Sequence, residues 1–154
     1  MKFSKMLAAI TDILNQDSDT EIDVCMTFEM ARKIELWTAM YENKAPWLDR
    51  KKVKSAQIPA AVASEIARLV TLEMKSEITG SAAAEYLNEM YQERVLSGLR
   101  RYVEYGCAKG GLILKPYVTK TGLTIQYVQA DCFFPLSFDD SGRIQQCVFT
   151  EQLR

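Results

Sequence analysis

The chain of 154 residues contains no histidine. A serine or cysteine nucleophile activated by an imidazole base is therefore excluded, and so are the common zinc sites that use histidine. Cysteine is also sparse, since the four cysteines are widely spaced and form no CxxC pair. This spacing indicates free thiols in a reducing compartment. We expect no cofactor and no bound metal.

An excess of positive charge is missing as well. Lysine and arginine total 19 against 20 aspartates and glutamates, for a formal net charge of -1. Such a balance excludes a surface that binds nucleic acid over its whole area. The sequence has no apolar run of membrane-spanning length and no signal-peptide pattern, so we expect no membrane partner.

Basic residues are concentrated in one segment beside Trp47, within the sequence WLDRKKVKS. One interpretation is contact with a polyanion or with an acidic partner, and the other is a solvated loop. The four residues of this basic cluster are Arg50, Lys51, Lys52 and Lys54.

Glycine is scarce, and three of the seven glycines lie close together where a helical pattern ends. Residues 105–118 read YGCAKGGLILKPYV. A phosphate-binding loop opens a helix, whereas this segment closes one, and the carbonyl end of a helix repels phosphate. We therefore predict a helix C-cap and a joint to the first strand. The joint consists of Gly106, Gly110, Gly111, Lys115 and Pro116.

Lys115 lies in an otherwise apolar strand pattern. Simple alternation along the strand places its side chain on a solvated face. Alternatively, its ammonium reaches an acidic partner on another element or subunit.

Carboxylates and one cysteine are the remaining candidates for catalysis. Glu85, Glu89 and Glu93 recur at every fourth residue of a helical pattern. Carboxylates at this spacing usually lie on a solvent-exposed helix surface, so the pattern does not indicate catalysis. Cys107 has no histidine to activate it, so we predict a buried small apolar residue. We expect no catalytic activity.

The chain begins with an amphipathic helix and an acidic linker, which together span residues 1–19. Apolar residues spaced by three and four predict a helix that ends near Asn15, and the following NQDSDTEID has no apolar face. The sequence leaves three placements of this helix open: packing on its own domain, packing on a neighbouring copy, or no packing at all. Its apolar face is a candidate partner-binding element formed by Phe3, Leu7, Ile10 and Leu14.

Three further helices are predicted in residues 20–109. One is centred on residues 30–41, the next runs from Pro59 to Ile78, and the last begins at Ser81 as its N-cap. The apolar stripe of the helix that begins at Pro59 comprises Val62, Ile66, Leu69, Val70 and Met74.

After Gly110 the spacing of the apolar residues changes from about four to two, which predicts strands in residues 110–154. The segments LILKPYV, LTIQYVQ and RIQQCVF alternate as about three antiparallel strands. DDSG is typical of a hairpin turn, and DCFFPLSF is interpreted as an aromatic connection. The last strand runs nearly to Arg154, so the sheet looks truncated. The predicted fold class is α+β, with about four helices followed by an antiparallel sheet.

The order of these motifs resembles the amino-terminal part of portal proteins of tailed bacteriophages, also called minor capsid or head-tail connector proteins. The resemblance covers roughly residues 20–149. It rests on W-x3-Y-x5-W in IELWTAMYENKAPWL, on G-x3-GG-x3-KP in YVEYGCAKGGLILKPYV, and on FFP-x3-D-x2-G in IQYVQADCFFPLSFDDSGRIQQCVF. A segment similar to AAVASEIARLVTLEM lies between the first two.

The resemblance implies a structural virion protein without catalysis. Portal proteins form a ring at one capsid vertex, through which a separate terminase drives double-stranded DNA. Residues 20–154 would form a segment of the portal wing, and the partners would be other portal subunits, capsid or scaffold protein, terminase and head-completion proteins. Portal proteins are several times longer, which puts ring formation by this chain alone in doubt. The alternative is a small bacterial or prophage adaptor that binds a partner through an amphipathic helix.

Overall fold

The computed structural model describes residues 2–16, 24–49, 52, 54–120 and 122–151. Helices come first and strands second, so the predicted α+β class is confirmed. The helices are α1 Phe3–Gln16, α2 Phe28–Tyr41, α3 Ile58–Leu72, α4 Ala84–Tyr91 and α5 Ser97–Lys109, with a π-helical segment, Gln92–Leu96, joining the last two. The strands are β1 Leu112–Thr119, β2 Gly122–Gln129, β3 Phe133–Phe138 and β4 Ile144–Phe149.

The strands form two antiparallel hairpins rather than the single three-stranded sheet that the sequence predicts. β1 pairs with β2, and β3 pairs with β4. The predicted connection DCFFPLSF is wrong, because Phe133–Phe138 is the strand β3. Its aromatic residues favour a strand, and Pro135 is tolerated because a two-stranded sheet consists only of edges. The DDSG turn is confirmed, with Gly142 at a φ of +76° between β3 and β4.

The core forms where α1 and α2 meet β3. Phe3 and Phe134 pack with ring centroids 5.1 Å apart. The backbone nitrogen and the hydroxyl of Ser4 both donate to Glu35 Oε1, at 2.7 and 2.8 Å. Of the three placements open to α1, the structure therefore shows packing on its own chain. The buried residues of this core are Phe3, Leu7, Ile10, Ala31, Ile34 and Phe134.

The third helix is shorter than predicted, since α3 ends at Leu72 instead of Ile78. The backbone of Ile78 is instead held by the Asn88 side chain. Ile78 N donates to Asn88 Oδ1, and Asn88 Nδ2 donates to Ile78 O, both at 2.8 Å. This pair of bonds substitutes for the hydrogen bonds that a longer helix would make.

The next helix begins three residues after the predicted cap. Ser81 does not cap it, because the N-cap position is Ala83. Ser81 forms the preceding turn, in which its hydroxyl accepts from Ala83 N and its carbonyl accepts from Ala84 N.

A π-helical segment interrupts the long helix that the sequence predicts as continuous. The Tyr127 hydroxyl, from β2, donates to the carbonyl of Val95 inside this segment. The same ring stacks on Tyr102 with centroids 3.9 Å apart and an interplanar angle of 1°. Tyr127 thus joins the helical part to the first hairpin at two points.

Candidate interaction surfaces

The predicted helix-to-strand joint is a C-cap built around Gly110. Gly110 has a φ of +88°, and its backbone nitrogen donates to Gly106 O at 2.9 Å. A Cβ at this position would lie 3.0 Å from Cζ3 of Trp37 on α2. A Cβ at Gly106 would lie 3.2 Å from Cβ of Leu112, and Gly111 follows directly before β1. Close packing therefore explains the joint without a ligand.

Beside the joint lies an ion pair that the sequence reasoning missed. Lys109, the last residue of α5, is only 9% exposed, and its Nζ is 2.7 Å from Asp131 Oδ2. Asp131 lies in the short 3-10 turn between β2 and β3. The pair holds the end of α5 against the junction of the two hairpins. A lysine in the last turn of a helix is a common charge pattern, so it gave no signal of a buried role.

Lys115 reaches an acidic partner on another element of its own chain. Its Nζ lies 3.3 Å from Glu151 Oε1 and 4.8 Å from the centroid of the Phe149 ring. These contacts agree with the second interpretation of the sequence, in which the ammonium reaches an acidic partner on another element. Its neighbour Pro116 is exposed and pairs with Ile125 in the first hairpin.

Only part of the basic cluster lies within the described residues. Lys52 and Lys54 are exposed, and Lys52 Nζ is 3.5 Å from Asp49 Oδ2. Arg50 and Lys51 lie outside the described residues. The described lysines show a solvated segment, and nothing in them builds a phosphate site.

The candidate partner-binding face of α1 is occupied. Phe3, Leu7 and Ile10 are buried in the core, and Leu14 packs against it. In this conformation the face is closed to a partner, because burying these side chains in the chain itself removes the apolar surface that a partner would cover.

The candidates for chemistry lie at the surface. Cys107 is exposed, so its predicted burial is wrong. It points away from the packed face of α5 because it lies two residues before the inward-facing Lys109. Glu85, Glu89 and Glu93 are exposed as well. Across the described ranges, no group of three or more Cys, Asp or Glu side chains could hold a metal ion, and no helix is long and apolar enough to cross a membrane.

The outer face of α3 is apolar and faces away from the rest of the described chain. Its large aliphatic side chains are 44–65% exposed. The sequence predicted an apolar stripe on this helix, and its members Val62, Ile66, Leu69 and Val70 are all exposed. We define the α3 outer face as Ile58, Val62, Ile66, Leu69, Val70 and Leu72.

The opposite side of α3 explains this orientation. Ala63 and Ala67 are 4% and 0% exposed, and α3 packs chiefly on α5. They are four residues apart and so share one face of the helix. Small side chains let two helix backbones approach closely, whereas Ile66 or Leu69 at the same contact would hold them apart. The helix thus buries its alanines and exposes its larger side chains.

Comparisons with protein-family models, with curated proteins and with solved structures find no match for the chain. The resemblance to portal proteins therefore rests on the sequence motifs alone and stays a prediction.

Proposed function

We propose that the chain is a structural, non-enzymatic protein of tailed-bacteriophage particles and corresponds to the amino-terminal part of a portal protein. Residues 20–109 would supply the helical part of the wing, and residues 110–154 the beginning of its β-rich part. The ordered motifs around Trp37, Gly110 and Pro135 support this assignment, together with the α+β order of the elements.

The observation that carries the proposal is the α3 outer face. A contiguous exposed stripe of aliphatic side chains is costly in water, and monomeric proteins rarely keep patches of more than a few hundred Å². A stripe with this exposure is typical of a surface that another chain covers. An assembly subunit has such a surface, whereas an isolated monomer gains nothing from it.

The partners that follow from the proposal are other portal subunits, capsid or scaffold protein, terminase and head-completion proteins, the last two through regions of a full-length portal protein. The protein would belong to the virion and, during assembly, to the cytoplasm of the bacterial host. The formal charge of -1 suits contact with double-stranded DNA that passes without being held.

Immunogold labelling tests the proposal. Antibodies raised against the purified chain are applied to tailed particles released from the organism that encodes it, after the particles are opened to expose the head-tail vertex. We expect gold at that single vertex. Gold on the cells but none on the particles would contradict the portal assignment. So would gold spread evenly over the capsid.

The adaptor hypothesis is the alternative, and the α3 outer face supports it too. The surface that binds a partner would then lie on α3 instead of α1, whose apolar face is buried. A pull-down with the chain tests the α3 site. Loss of partner binding in Leu69→Glu supports the α3 site, whereas partner binding that Leu69→Glu leaves unchanged contradicts it.

A further inference from the structure

A charged rim runs along one side of the α3 outer face. It consists of Glu65 and Arg68, one helical turn apart. Arg68 Nε donates to Glu65 Oε2 at 2.8 Å, and Arg68 Nη2 donates to Glu65 Oε1 at 2.7 Å. Within α3 the other side of the stripe, beside Pro59 and Ala63, carries no charged residue. The face is therefore apolar in the middle and charged along one edge only.

From this asymmetry we infer that the α3 outer face binds a second copy of the same chain, with the two α3 helices antiparallel about a two-fold axis near Ile66. A two-fold interface uses the same patch on both subunits, so each contact from one residue to another occurs twice. The inference rests on the same α3 outer face that carries the proposed function, and it assigns that face a two-fold contact between two copies of the chain.

Charge complementarity selects the antiparallel arrangement. When two helices pack antiparallel about a two-fold axis, the same edge of each helix lies beside itself. A two-fold axis between positions 66 and 67 brings Glu65 beside Arg68 of the partner subunit, and Arg68 beside Glu65 of the partner subunit. A parallel pair would set the charged edge against the uncharged one and form neither contact. Only the antiparallel pair sets opposite charges beside each other across the interface, in addition to the Glu65–Arg68 bonds within each helix.

The amount of exposed apolar surface also suits a second copy. A standard interface takes about 800 Å² from each partner and has an apolar centre with a polar rim. Six aliphatic side chains exposed by 44–65% supply a large part of that centre on one helix. The stripe spans 15 residues, or about 22 Å at 1.5 Å per residue, which gives a helix-to-helix contact four turns long.

Sedimentation equilibrium of the whole chain from 2 to 400 μM tests the pairing. We expect a monomer-dimer equilibrium with a dissociation constant of about 100 μM or tighter. Ile66→Glu places two carboxylates, one from each subunit, next to each other at the axis and is expected to weaken dimerisation about 100-fold. Val118→Gln is the matched control, since Val118 is 81% exposed on β1, and it is expected to leave the constant unchanged.

A charge exchange tests the orientation. Arg68→Glu and Glu65→Arg each leave like charges along the shared edge, so each is expected to weaken the dimer about 10-fold. The double variant restores opposite charges and is expected to return the constant to within about three-fold of the wild type. Arg100 also acts on Glu65, so circular dichroism of each variant checks that the monomer remains folded.

Three results overturn the inference. They are a monomer at every concentration, a dimer that Ile66→Glu leaves intact, and a double variant as weak as the single ones. In the first case α3 does not pair with a second copy, and in the last the helices do not pair antiparallel. Vertex labelling in particles is read separately, so failure of the dimer leaves the portal proposal to its own test.

Discussion

The ammonium of Lys109 lies 2.7 Å from the carboxylate of Asp131, at a point where Lys109 is almost fully covered. The two residues are 22 positions apart and connect the helical part of the chain to the two hairpins. A pair of this kind is costly to break on one side, because the remaining charge stays buried without its partner.

We predict that Asp131→Asn lowers the free energy of unfolding by about 2–3 kcal/mol, since it leaves the Lys109 ammonium without a counter-charge. Lys109→Met keeps the packed stem and removes the charge. Urea denaturation of both single variants and of the double variant measures the coupling. The double variant should lose at least 0.5 kcal/mol less than the sum of the single losses, by the usual scale of directly contacting pairs. Additive losses would show that the two residues act independently.

Replacement of the capping glycine separates backbone strain from crowding. Gly110→Ala is expected to cost about 2–4 kcal/mol, because alanine resists a φ of +88° and its Cβ would meet Trp37 at 3.0 Å. Gly142→Ala is the matched control. Gly142 also has a positive φ, +76°, but nothing lies within 4 Å of its added Cβ, so a loss of about 1–2 kcal/mol is expected. Equal losses in urea denaturation would rule out crowding by Trp37.

The Tyr127 hydroxyl is expected to stabilise the π-helical segment. Tyr127→Phe keeps the stack on Tyr102 and removes only the donor to Val95 O. The freed carbonyl should make the variant about 1–2 kcal/mol less stable in urea. Tyr117→Phe, at an exposed position on β1, serves as the comparison and should change stability by less than about 0.5 kcal/mol. If Tyr127→Phe leaves the stability in urea unchanged, the stack on Tyr102 alone joins the helical part to the first hairpin.

Alkaline pH should weaken the fold through Tyr41. Burial, followed by its hydrogen bond to Glu104 at 2.6 Å, raises the pKa of Tyr41 above its ordinary value. Its folded-state pKa is raised, so this stabilisation is complete below the unfolded value of about 10 and is lost as the pH rises above it. Denaturation curves at pH 9, 10 and 11 should show a smaller decline for Tyr41→Phe than for the wild type. Parallel declines would contradict this role.

Local patterns were sufficient to predict much of the fold. Periods of three to four predicted α1 and α2, and alternation predicted β1, β2 and β4, because the spacing of apolar residues depends only on which face is covered. Glycine chemistry likewise placed the C-cap at Gly110 and the turn at Gly142. These features are determined by residues close together in the chain.

The missed features depend on partners distant in sequence. Lys109 gave no sign of burial, since Asp131 lies two strands away in the chain. β3 was missed because Pro135 and adjacent aromatics break the alternation that marks a strand. The face of α3 could have been read differently, because Ala63 and Ala67 form a second stripe at spacing four. A hydropathy scale ranks the larger aliphatic residues above alanine, so it does not single out Ala63 and Ala67 as the packed face.

The central claim is that the chain assembles through the α3 outer face, and side-chain accessibility measures this most directly. Hydroxyl-radical footprinting at 2 and 400 μM is followed by mass spectrometry, with Val118 as the internal reference. We predict that oxidation of Ile66 and Leu69 falls several-fold at the higher concentration, while Val118 stays equally reactive. Unchanged oxidation of Ile66 and Leu69, or equal protection of Val118, would contradict the claim.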